Sequence, residues 1–173
     1  DYNEMDYEQK QFDLITAFLV INYIDIPTLF GKIYNLLTDN GIFYFNMSYF
    51  YEIWAGSMQL PMDGPWLHAR LTEDDFKRYY RECRPDIYDD VLKCIKVKCP
   101  HMTALDYISE ARTQGLQFQG MRRTIDKDVI DNVYYTSAPY IDNVVVPQAR
   151  RLNPNVRACD FFTRNITMVF KKV

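Results

Sequence analysis

Apolar and polar positions fall into a strand–helix–strand pattern between Phe12 and Ser48. Phe12 to Phe18 (FDLITAF) is a short, nearly unbroken apolar run, as expected of a strand buried on both faces of a parallel sheet. Asp25 and Pro27 follow as a helix start, a capping side chain close ahead of a first-turn proline. Leu29, Ile33, Leu36 and Leu37 recur at helical spacing, so one face packs on the sheet. Asp39-Asn40-Gly41 stops the helix, because Asn and Gly tolerate left-handed backbone. Ile42 to Met47 is the next strand. Two strands joined by a helix that packs back on them form a right-handed crossover unit, which makes them parallel.

Further along, Gly56 to Pro65 reads as loop. Thr72 caps a helix with carboxylates in its first turn, running to about Cys83. Alternation in the second half of Asp89 to Lys98 predicts a half-exposed strand. Thr103 caps a helix with Leu105, Ile108 and Ala111 as apolar positions, Gly115 ends it, and Leu116 to Thr124 is a strand. Asp126 to Tyr135 shows helical spacing, Tyr140 to Pro147 includes the short β-prone run Val144-Val145-Val146, and Arg164 to Val173 is a final strand.

Phe12-Asp13-Leu14-Ile15 and Leu36-Leu37-Thr38-Asp39-Asn40-Gly41-Ile42, in that order and spacing, resemble the fourth and fifth strand openings of a class I S-adenosylmethionine-dependent methyltransferase. The stretch from Thr103 to Thr124 resembles that family's last helix and sixth strand. Arg164 to Val173 resembles its seventh strand, which inserts antiparallel between the fifth and sixth. The resemblance implies an α/β, Rossmann-like sheet with an antiparallel last strand. The family's glycine-rich turn and ribose-binding carboxylate are not in this sequence, where no two of the six glycines stand at GxG spacing. The expectation is therefore the C-terminal half of such a domain over residues 1–173, with the first three strands supplied by residues ahead of Asp1 or by another chain. A different α/β fold is the competing reading. Residues 49–100 would be an insertion that forms a lid and selects the acceptor.

With 173 residues, 48% hydrophobic and 16% aromatic, the chain is large enough for a real core and is not a disordered tail. A net charge of −3 gives no basic footprint for nucleic acid. No apolar run reaches bilayer length, and no leader is visible, so no membrane contact and a cytoplasmic location are expected. Cys83, Cys94, Cys99 and Cys159 form no CxxC pair and read as reduced thiols. Cys94, Cys99 and His101 match no zinc spacing, so no metal is expected.

Ligands of open α/β sheets sit beyond the carboxyl ends of the strands. That places Thr16, Ala17 and Phe18 at the cofactor, facing the methionine portion and sulfonium of S-adenosylmethionine. By the resemblance, Asp1 and Tyr2 would close over its adenine. Asn46, Tyr49, Tyr51 and Trp54 follow the second strand on the same rim and would bind a small-molecule acceptor. His68 is the candidate general base, needed only where the acceptor must lose a proton. The whole predicts methyl transfer to a small molecule, as part of a larger chain and inactive as this segment alone. The alternatives are a catalytically inactive binding or scaffold module, and another Rossmann-like nucleotide-binding enzyme.

Overall fold

A computed structural model describes residues 11–51, 66–94, 101–125 and 138–173. Its centre is a four-stranded mixed sheet in the order β1-β2-β4-β3. β1 (Phe12–Phe18) runs parallel to β2 (Leu37–Ser48), with Leu14 opposite Ile42 and Phe18 opposite Asn46. β4 (Thr163–Lys172) lies antiparallel between β2 and β3 (Leu116–Ile125). Both pairings are those expected from the sequence.

One face of the sheet carries Phe43, Phe45, Met47, Ile166, Met168 and Phe170, all fully buried. α1 (Ile26–Leu36) packs there through Ile26, Leu29, Phe30 and Ile33. The Phe30 ring meets Phe43, Phe45 and Phe170 at centroid distances of 6.0, 6.3 and 5.7 Å. α5 (Ala104–Thr113) joins the same core with Ala104, Tyr107 and Ala111. The opposite face is open on β1, where Leu14 and Phe18 are 58% and 57% exposed.

Local chemistry explains the boundaries. Asp25 accepts the Thr28 N–H at the start of α1, and Thr103 with Asp106 forms a reciprocal cap at α5. Gly115 ends α5 with φ 83, and a Cβ there would lie 2.7 Å from the Tyr34 ring, so glycine serves both the turn and the close approach. Buried Lys172 donates from Nζ to Tyr34 O (2.6 Å) and Leu37 O (2.9 Å) at the end of α1, with the Tyr34 ring centroid 4.3 Å away.

Three expectations are corrected. β1 is not buried on both faces, because Leu14 and Phe18 stand exposed on the side away from α1. α1 ends at Leu36, and β2 already begins at Leu37, opposite Phe12. Asp39-Asn40-Gly41 lies inside β2 as the irregularity that shifts register between Phe12 and Leu14. Asn40 has φ 69, and a Cβ on Gly41 would stand 2.8 Å from Thr38 O. Tyr88–Cys94 is a helix, α4, and the alternating stretch after it, where a strand is expected, lies outside the described residues. Val91 of α4 packs against Phe76 and Tyr80 of α3 (Glu73–Cys83), which gives a helical turn its own small core. Residues 138–149 form one helical run, α6, in place of a β-prone segment, and Ile141–Val145 within it has i→i+5 geometry. Ile141, Val145, Val146 and Ala149 are buried there, so tertiary packing overrides the valine run's strand preference. The helical spacing of Asp126 to Tyr135 lies outside the described residues.

Candidate functional site

The carboxyl ends of the parallel strands β1 and β2 form one rim of the sheet. β1 ends at Phe18, and Leu19 then adopts φ 58 while its N–H donates to Asn46 O at 2.8 Å. Leu19 and Val20 project outward, 56% and 46% exposed. A short 3-10 turn (Ile21–Tyr23) returns the chain to α1, and Asn22 Nδ2 donates to Ser48 O at 2.8 Å. Thr16 and Phe18 lie on the open face of β1, whereas Ala17 is half-buried on the α1 face. The Phe18 and Tyr44 rings pair at 5.7 Å. A groove of about 790 Å³ runs along β1 and is lined mainly by apolar residues, among them Leu14, Ala17, Phe18, Val20, Leu29 and Ile33.

At the end of β2 and just beyond it the polar side chains are engaged within the protein. Asn46 Nδ2 donates to Thr167 Oγ1 at 2.8 Å, holding that side chain on the neighbouring strand. Tyr49 is fully buried; its hydroxyl donates to Asp160 Oδ1 at 2.8 Å and accepts from Ala104 N at 3.0 Å. Burial, reinforced by the Asp160 charge, pushes the Tyr49 phenol far above its ordinary value, so it stays a neutral donor. Tyr51 is shifted up for the same first reason and donates to His101 O at 2.5 Å. Arg123 Nη2 closes on Asp160 at 3.3 Å, and its Nη1 lies 3.0 Å from Cys159 Sγ.

Phe50 stands between two imidazoles, with centroids 5.0 Å from His68 and 4.9 Å from His101. His68 lies on α2 (Leu67–Arg70), and its Nε2 meets Phe50 O at 2.7 Å. A carbonyl can only accept, so Nε2 carries the proton. The Nδ1 atoms of His68 and His101 are buried without a hydrogen-bond partner. Burial lowers the His68 pKa to about 4, and that of His101 in the same direction.

Of the residues singled out from the sequence, Thr16, Ala17, Phe18 and Asn46 meet at the β1–β2 rim. Tyr49, Tyr51 and His68 belong to the aromatic core beneath it. Asp1, Tyr2 and Trp54 lie outside the described residues. Sequence reasoning missed Asn22, Asp160 and the partnership of Arg123. The available signal for Asn22 was one amide inside the apolar run LVINYI.

No family model matches the chain, and no curated protein does. Solved structures do. An S-adenosylmethionine-dependent methyltransferase from Mesorhizobium loti superposes with a TM-score of 0.51 at 13% identity, over 99% of this chain and 67% of its own. The fold is that of the Rossmann-like methyltransferases. A protein from Listeria monocytogenes assigned to the same enzyme class gives 0.51 at 14% identity, over 98% of this chain and 65% of its own. One from Galdieria sulphuraria, assigned as a sarcosine dimethylglycine methyltransferase, gives 0.50 at 12%, over 99% and 57%. The chain thus spans between 57% and 67% of the length of these methyltransferase-fold proteins. Among the described residues no group of three metal-ligating side chains assembles, and no helix is long and apolar enough to cross a membrane.

Proposed function

We propose that the chain is the C-terminal part of an S-adenosylmethionine-dependent methyltransferase domain acting on a small-molecule acceptor, in the cytoplasm. The observation that carries this reading is the sheet itself: a parallel β1–β2 pair, with β4 antiparallel between β2 and β3, in an arrangement shared with methyltransferase-fold structures. Thr16, Ala17 and Phe18 stand at the carboxyl end where open α/β sheets bind ligands. The paired Phe18 and Tyr44 rings suit a cationic sulfonium, because an aromatic face attracts positive charge. S-adenosylmethionine, when bound, supplies an activated methyl group, so the chain's part is positioning. Asp1 and Tyr2 would close over the adenine. Residues 49–100 would cover the acceptor, with Trp54 and the rim residue Asn46 shaping its site and the buried Tyr49 and Tyr51 supporting it from the core beneath. His68 is buried with a pKa of about 4, and a base that weak does little at neutral pH; we give it a packing role and assign no general base.

Calorimetric titration with S-adenosylmethionine tests the reading. The full natural polypeptide should bind, and residues 1–173 alone should not, because a glycine-rich turn and a ribose-binding carboxylate are not in this sequence. Micromolar binding by residues 1–173 alone means that the cofactor site was misplaced. The inward bonding of Asn46, Tyr49 and Tyr51 favours one competitor, a binding module on a methyltransferase fold. Failure of the full polypeptide to bind supports that competitor.

The same reading assigns the groove beside β1 to the N-terminal half of the domain, on the same or another chain. Exposed Leu14 and Phe18 on the outer strand β1 invite pairing. Light scattering on residues 1–173 alone should therefore show association. A monodisperse monomer with one cooperative melt would mean that β1 needs no further cover.

A further inference from the structure

β1 leaves the sheet one ladder step before β2 ends. The last backbone bond of the parallel pair is Leu19 N–H to Asn46 O. Carbonyls two residues apart on a strand face the same side, so the next acceptor turned toward β1 is Ser48 O. By then the backbone has swung away through the left-handed Leu19. The side chain of Asn22 fills the step, donating to Ser48 O from Nδ2 at 2.8 Å, and it does so from a site where Asn22 is only 4% exposed. A primary amide is well suited to this place, since it presents a backbone-like N–H from the end of a short, stiff side chain. Two bonds, one from Leu19 and one from Asn22, thus hold the 19–24 loop against the end of β2.

We propose that Asn22 is a positioning residue, one that extends the parallel ladder by a side-chain bond and so fixes Phe18, Leu19 and Val20 in the arrangement that receives S-adenosylmethionine. This rests on the methyltransferase reading above. A left-handed leucine at a ligand-binding rim is a strained conformation of the kind that persists only where its surroundings hold it. The Asn22 bond is part of that hold. Without it the loop samples other conformations, and apparent affinity falls with the fraction that remains competent.

The test compares the full natural polypeptide with its Asn22→Ala, Asn22→Asp and Asn22→His forms. Alanine removes the donor, aspartate keeps the volume but sets a carboxylate against Ser48 O, and histidine restores a ring N–H at a comparable reach. In amide hydrogen exchange, Asn22→Ala and Asn22→Asp should speed exchange at Leu19, Tyr23 and Ile24 while the β2–β4 ladder keeps its protection. In titration with S-adenosylmethionine both should bind about tenfold more weakly, and Asn22→His should recover to within about threefold of wild type. Two results overturn the proposal: binding by Asn22→Ala within about twofold of wild type despite faster loop exchange, or weakened binding with Leu19 exchange unchanged. A wild-type polypeptide that binds no S-adenosylmethionine at all overturns the methyltransferase reading, and this proposal with it.

Discussion

Lys172→Met should destabilise the full natural polypeptide by about 3 kcal/mol, because two buried carbonyls lose their donor and each such loss costs roughly 1–3 kcal/mol. The Lys172 ammonium is buried, bonds Tyr34 O and Leu37 O, and sits over the Tyr34 ring. Its partners are carbonyls at the carboxyl end of α1, where the helix dipole favours a cation. Methionine keeps most of the stem's volume, so the variant isolates the charge and its bonds from packing. Urea melts should show a lower midpoint with an unchanged slope. A loss below about 0.5 kcal/mol would mean that water replaces the ammonium and that the lysine does not lock β4 to α1.

Stability should also fall as the pH drops from 6.5 toward 4. Burial lowers the folded-state pKa of His68 from 6.5 to about 4. Between those values the unfolded chain binds a proton that the folded chain refuses. The His68 contribution is thus fully present above 6.5 and is lost as pH falls toward the folded value. A pKa difference of one between the folded and unfolded chain is worth about 1.4 kcal/mol, so the loss approaches about 3 kcal/mol. His101 is lowered in the same direction and adds to it. Denaturant midpoints measured across this range should decline in the wild type and decline much less in His68→Gln. Parallel pH profiles for the two would show that the buried imidazole is not the group responsible.

What the sequence disclosed followed the range of the interaction involved. β1, the Asp25 and Pro27 start of α1, the Thr72 and Thr103 caps and the glycine end of α5 are set by neighbours within a turn or two, and they lie where the pattern put them. The parallel β1–β2 pairing followed from the crossover connection, and the antiparallel β4 from the resemblance to the methyltransferase family. The misplaced helix is one whose state is decided by distant partners. The valine run of α6 is helical because its buried stripe faces the core. The rim was legible at Thr16, Ala17 and Phe18, because strand ends are enough to mark it. It was not legible at Asn22, whose partner is 26 residues away, nor at Tyr49, whose hydroxyl bonds a carboxylate 111 residues on.

β4 joins β2 to β3, yet it is the last of the four strands to be synthesised. Asn46 of β2 and Ile166 of β4, in contact across the sheet, are 120 residues apart in the chain. At about 5–20 residues per second, a ribosome takes on the order of ten seconds to pass from one to the other. Through that interval the β2 edge and the aromatic stripe of Phe43 and Phe45 lack the strand that will seal them. The nascent polypeptide therefore carries an unpaired, apolar strand edge for all of that time. Any stop before Thr163 leaves the β1–β2 pair and a β3 with no strand to pair with, rather than a shortened sheet.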